Sequence, residues 1–159
     1  MKNSVKIQPQ QLQILVFVIL SVFAFNSCRV TFLPSYDASI AEQIEKTTKQ
    51  VDKFYLTMLE TTTEENNGRN FEKFVNPYVD IEVELYSLLN QNKVRPLNEN
   101  STRICEITLE LWQKYKEEHK TDNTLSDGLI KLNRQVFSDL FFAMQVAEKG
   151  KDIINNPPQ

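Results

Sequence analysis

Glycine and histidine are scarce in this chain. Three glycines in 159 residues disfavour a turn-rich β architecture and suit long helices. The single histidine, His119, excludes a site built on two imidazoles. No Glu-x-x-His pair occurs, which removes the usual ligand set of an iron-binding helix bundle. Cys-x-x-Cys pairs, a haem-attachment motif and a glycine-rich phosphate loop are also missing. There is no basic excess either, with 18 basic side chains against 21 acidic ones, so the chain lacks the electrostatic footprint of a nucleic-acid binder. Its longest apolar run is well short of the roughly 20 residues that a membrane-spanning helix needs. These absences predict a protein with no catalytic cluster, no metal site and no cofactor.

What is present begins at the N-terminus. Lys2 and Lys6 supply positive charge, and Ile14 to Phe25 form an uninterrupted run of apolar and small residues. A positive flank followed by an apolar stretch of roughly 7–15 residues is the pattern of a secretion signal. The run ends in Phe25-Asn26-Ser27-Cys28. A bulky apolar residue, a small residue and then cysteine resemble the lipobox of bacterial lipoproteins, in the looser form of the Bacteroidota. The resemblance covers residues 1–28. It implies cleavage between Ser27 and Cys28 and a diacylglyceryl group on the Cys28 thiol, cysteine being required because its thiolate is the nucleophile. It also implies a mature protein held on the lipid bilayer through Cys28. Arg29 follows the cysteine with no acidic cluster, which by the same resemblance points to the outer membrane, facing the periplasm. Two other readings of the segment are cleavage after Ala24, which releases a secreted protein, and an uncleaved anchor.

Removing residues 1–27 takes away two of the basic charges and no acidic ones. The remainder, about 130 residues, suffices for one self-supporting core. Residues 28–36 read as the acylated cysteine and a tether, 37–150 as a helical domain and 151–159 as a flexible tail. Helix 1 is expected from Asp37, an N-cap, with Ile40, Ile44, Thr47, Val51, Phe54 and Met58 stepping by 4 and 3 along one face. Asn67-Gly68 marks a loop. Helix 2 follows from about Asn70, with Phe71, Phe74, Tyr78, Ile81, Leu85 and Leu88 in phase. Pro77 lies inside that stripe and predicts a kink; Asn76 as cap with Pro77 opening the helix is the alternative. Helix 3 spans about 98–119, with Ile104, Ile107, Leu111, Trp112 and Tyr115 inward and Cys105 and Thr108 alongside. Helix 4 spans about 124–149, with Leu125, Leu129, Leu132, Val136, Leu140, Ala143 and Ala147 inward and Gly150 as its C-terminal cap. Four such helices on short links predict an all-α, antiparallel up-and-down four-helix bundle, kinked at Pro77 in its second helix.

That topology puts the links at 61–70 and 120–123 far from the tether and brings 92–97 and the C-terminal tail close to it. Arg29, Lys93, Arg95, Arg103, Lys149 and Lys151 then lie on the membrane side, nearly balanced by acidic groups. Val79, Val83 and Phe142 fall off the inward stripes and are candidate contacts for a protein partner in the envelope. Trp112, Tyr115 and Phe137 are candidates for an apolar ligand pocket between helices, the reading of the chain as a carrier. Glu82, Glu84 and Glu106 are the carboxylates that a hydrolase or metal site would use if they converged. His119 falls at a helix C-terminus, where positive charge is favoured. With Cys28 acylated, Cys105 is a lone thiol, expected to be buried and inert. The function expected is that of a lipid-anchored, non-catalytic interaction or structural subunit.

Overall fold

A computed structural model describes residues 33–155, together with positions 10 and 13. The readings made for Ser27, Cys28 and the rest of the leader, and for residues 156–159, lie outside the described residues. The chain divides into two units, Met1–Thr31 and Phe32–Gln159, and every helix named below belongs to the second. They are α1 (Ala38–Thr61), α2 (Val75–Lys93), α3 (Glu99–Asp122) and α4 (Asp127–Asn155), with a 3₁₀ turn at Phe71–Phe74 before α2. No strand occurs among the described residues. α1 packs on α4 and on α2, and α3 packs on α2 and on α4. The four form a closed ring, an all-α four-helix bundle in which α2 and α4 are diagonal.

α1 and α2 follow their apolar periodicity. Asp37 caps α1, its carboxylate accepting from the Ser39 amide at 2.9 Å. Every residue of the expected α1 stripe is buried, with Tyr55 added beside it. The irregularity in the second helix precedes Pro77: the backbone changes from 3₁₀ to α at Phe74–Val75. Pro77 is thereby the third residue of α2, where an amide has no intrahelical acceptor to lose.

α3 and α4 are turned by about one residue from their expected phase. The buried line of α3 is Ser101, Cys105, Thr108, Trp112 and His119, while Ile104, Leu111 and Tyr115 sit at its edge. That of α4 is Ile130, Asn133, Phe137, Phe141, Met144, Glu148 and Lys151. Leu129 and Leu132, expected inward, are exposed. The cause is common to both helices. Their inward lines carry polar residues that find partners inside, and a reading that places apolar residues inward turns such helices away from their true face. α4 also runs through Gly150 to Asn155, so Gly150 is not a cap and residues 151–155 are helical rather than a flexible tail. The reason is Lys151, which is drawn into the interior by Glu148 and Asn98.

The centre of the bundle is aromatic. Trp112 is wholly buried and meets Tyr78, Phe137, Phe54 and Tyr55 at ring-centroid distances of 5.2, 5.3, 5.4 and 6.2 Å. Its indole N–H donates to the Tyr78 carbonyl at 3.1 Å, so the polar edge of the ring is satisfied. Edge-to-face pairs of this kind contribute about 0.5–1.5 kcal/mol each beyond the area they bury.

The phase of α4 can be checked by urea denaturation. Phe137→Ala is expected to cost about 3–5 kcal/mol, the range for emptying a buried aromatic site, and Leu132→Ala less than about 1 kcal/mol. The reverse order would restore the phase read from the sequence.

Candidate functional site

The most concentrated polar chemistry lies where the chain enters the bundle. Glu148, on α4, is buried with its carboxylate among four donors. Arg95 reaches it with both guanidinium nitrogens, at 3.1 and 3.2 Å, Lys151 at 2.5 Å and the Asp37 amide at 2.9 Å. Arg95 also donates to the Ser35 carbonyl. Lys151 continues to Asn98 Oδ1 at 2.8 Å, and the Asn98 amide nitrogen to Asn92 Oδ1 at 2.8 Å. Asn92 in turn approaches the Cys105 thiol at 3.5 Å. The cluster joins the segment before α1, the α2–α3 link, α3 and the last turns of α4.

Burial pushes the Glu148 carboxyl up, but the hydrogen bonds from Arg95, Lys151 and the Asp37 amide outweigh it and hold the group below its ordinary value. For Lys151 burial prevails, and its ammonium sits below the ordinary lysine value despite Glu148. Burial also pushes the Cys105 thiol up to about 12, so it stays protonated and unreactive at neutral pH. Arg95 and Lys151, expected among the charges facing the membrane, are instead drawn into this cluster.

A second cluster closes the opposite end. Arg69, from the loop between α1 and the 3₁₀ turn, is buried. It donates to the carbonyls of Leu125 and Thr62, at 2.9 and 3.0 Å, and pairs with Asp127 at 2.6 Å. Gly68 makes the approach feasible, because a Cβ there would stand 2.8 Å from the Thr63 carbonyl oxygen. The Arg69 carbonyl accepts from His119 Nε2 at 2.7 Å, and His119 Nδ1 accepts from the Tyr78 hydroxyl at 3.1 Å. A carbonyl partner on Nε2 requires the Nε2–H tautomer. Both ring nitrogens are thus used, and Nδ1 accepts from Tyr78 when the ring is neutral, the state that burial favours. Burial holds it below the ordinary histidine value, outweighing the Arg69 carbonyl. His119 does lie in the last turn of α3, as expected, but the expected partial positive charge is corrected: the ring is buried and serves as an interior hydrogen-bond hub.

Trp112, Tyr115 and Phe137 do come together, Tyr115 and Phe137 with ring centroids 5.8 Å apart. They meet as packed core with Trp112 enclosed by rings, not as walls of a cavity. The three carboxylates do not converge. Glu82 pairs with Lys116 of α3 at 2.7 Å, Glu84 with Lys46 of α1 at 2.7 Å, and Glu106 with Lys93 at 3.4 Å. Glu82 and Glu84 thus tie α2 to its two neighbours. No group of three or more metal-ligating side chains is found among the described residues.

Phe142 and Val83 are exposed, at 67% and 60%. Val79 and Tyr86 continue the α2 patch, and Leu129, Leu132 and Val146 accompany Phe142 on α4. Because α2 and α4 are diagonal, Val79 and Val83 cannot join Phe142 in one surface. They are two separate faces. No family model, curated protein or solved structure matches the chain.

Neither polar cluster is visible in the apolar pattern: Arg69 falls in the predicted loop, and Lys151 among the charges expected on the membrane side. The one available signal was the 3- and 4-residue spacing of Asn133, Phe137, Phe141, Met144, Glu148 and Lys151, which is continuous only if the polar residues are counted as inward.

Two outcomes follow. Glu148→Gln strips Arg95 and Lys151 of their buried carboxylate and should cost about 3–5 kcal/mol in urea denaturation. The wild-type contribution of this carboxylate is present above its ordinary value of 4.5 and is lost as pH falls through its lower folded value. His119, the chain's only histidine, acts in a higher window. Its folded value lies below the ordinary 6.5, so the unfolded chain takes up a proton first as the pH falls. Stability should decline from about pH 6.5 downward by at most about 1.4 kcal/mol per pH unit, and His119→Gln should abolish that slope.

Proposed function

We propose that the mature protein is a lipid-anchored helical subunit of a bacterial envelope that works by contact and catalyses no reaction. Cys28, directly after an apolar run and a serine, supports the anchor and the outer-membrane address. The observation that carries the contact role is the placing of large apolar side chains outward on two diagonal helices, while the interior polar groups are spent on holding the bundle together. A side chain such as Phe142, two-thirds exposed, gains by being covered. The cleft of about 400 Å³ lined by Phe54, Phe74, Pro77 and Ile81 does not include Trp112, Tyr115 or Phe137, so the carrier reading built on those three is less well supported.

Anchoring and contact suit each other on physical grounds. A lipid on Cys28 concentrates the protein in a plane, and two or more acyl chains suffice for stable attachment. Contacts too small to hold a complex in solution become effective once both partners share that surface.

In cells, Cys28→Ser should lose fatty-acid incorporation and leave the membrane fraction. A photocrosslinker replacing Phe142 in the wild-type background should join one discrete envelope protein that a crosslinker at exposed Lys114 on α3 does not. Membrane retention without Cys28 contradicts the anchor. Absence of any adduct specific to Phe142 or Val83 contradicts the contact role.

A further inference from the structure

The end of the bundle where the chain enters differs from the other end. Its α2–α3 link exposes Val94, at 81%, and Leu97, two of the four residues from 94 to 97. The segment before α1 exposes Leu33 and Tyr36, and the last turn of α4 exposes Ile153 and Ile154. These three segments are distant in sequence. The Glu148 cluster ties them together, because Arg95 holds both the Ser35 carbonyl and Glu148, and Lys151 holds Asn98. The links at the opposite end show no such side chains. Residues 63–67 and 121–123 are threonine, glutamate, asparagine and aspartate.

Apolar residues gathered on one end face have a specific covering to hand. Cys28 stands five residues before Leu33, a contour of at most about 17 Å at ~3.3 Å per residue. Resting on the anchoring proposed above, we infer that this end face sits in the lipid surface, with Val94, Leu97, Ile153 and Ile154 dipping into the boundary between headgroups and acyl chains. The bundle then stands on end, with the 62–70 loop farthest from the membrane. Charge plays little part. Lys93 and Arg103 are both paired with Glu106, and exposed Lys149 is offset by Glu99 at the same end. Insertion is therefore apolar, and anionic lipid changes it little.

The wild-type protein offers a clean labelling background. Cys105 is buried, and Cys28 is blocked when acylated. Val94→Cys, Ile154→Cys and, as a far-end control, Glu65→Cys all place a thiol on an exposed position. Each is purified in its lipidated form, spin-labelled and reconstituted into vesicles of phosphatidylcholine alone or with phosphatidylglycerol. Labels at 94 and 154 should be several-fold more accessible to oxygen than to a water-soluble nickel chelate, and the label at 65 the reverse, with little change on adding phosphatidylglycerol or salt. Protein that floats with the vesicles while 94 and 154 remain as wet as 65 overturns the end-on placement and leaves the anchor standing. Protein that does not float overturns the anchor and this inference together. Labels at 94 and 154 shielded from both agents, with spin–spin broadening that vanishes on dilution with unlabelled protein, would mean that a second copy covers the face, which also overturns it.

Discussion

The buried carboxylate of Glu148 is the constraint on which the rest of the structure most depends. A carboxylate in an interior is costly unless every lone pair is used, and here Arg95, Lys151 and a backbone amide use them. Those donors come from different parts of the chain, so satisfying one charge decides several things at once. It sets the rotation of α4, extends that helix past Gly150, and fixes the α2–α3 link against the residues that lead into α1. Arg69 does the corresponding work at the other end, drawing the α1–α2 loop onto the start of α4 and offering its carbonyl to His119. Between the two clusters lies the apolar core, with the aromatic residues around Trp112 at its centre and aliphatic side chains around them. Polar groups at both ends thus specify which bundle forms, and the apolar core between them supplies the drive to form it.

This division explains what could be read from the sequence. α1 and α2 were legible because their inward lines, from Ile40 to Met58 and from Phe74 to Leu88, are apolar except for Thr47, whose hydroxyl is satisfied within its own helix by the Gln43 carbonyl. In α3 and α4 the inward lines include Ser101, Thr108, His119, Asn133, Glu148 and Lys151. Each is unfavourable inside when taken alone, so a one-dimensional pattern places it outside. The partners that reverse that preference lie tens of residues away, such as Arg95 for Glu148 and Arg69 for His119. The candidate contact residues fared differently. Val83 and Phe142 were placed outward correctly, while their separation onto diagonal helices emerged only from the packing of the ring. Trp112, Tyr115 and Phe137 were grouped correctly and prove to be core.

The functional reading joins these layers. An exterior carrying apolar side chains on two faces, and an interior whose polar groups are committed to structure, describe a protein suited to being held and touched. In the proposed reading the leader supplies the holding. The Glu148 cluster holds Ser35 and Asp37 against α4 and the α2–α3 link, so in the proposed anchored form a pull on the lipid would pass into the bundle. Such a connection gives an anchored domain a defined orientation, and with it a defined set of surfaces offered to neighbours.

The central claim is that the Cys28 thiol carries lipid in the mature protein. Mass spectrometry of the N-terminal peptide of protein extracted from its native membrane tests this most directly. The account predicts a chain that begins at Cys28 and bears the added mass of a diacylglyceryl group on that residue. A mature chain that begins elsewhere, or begins at Cys28 with a free thiol, would contradict it.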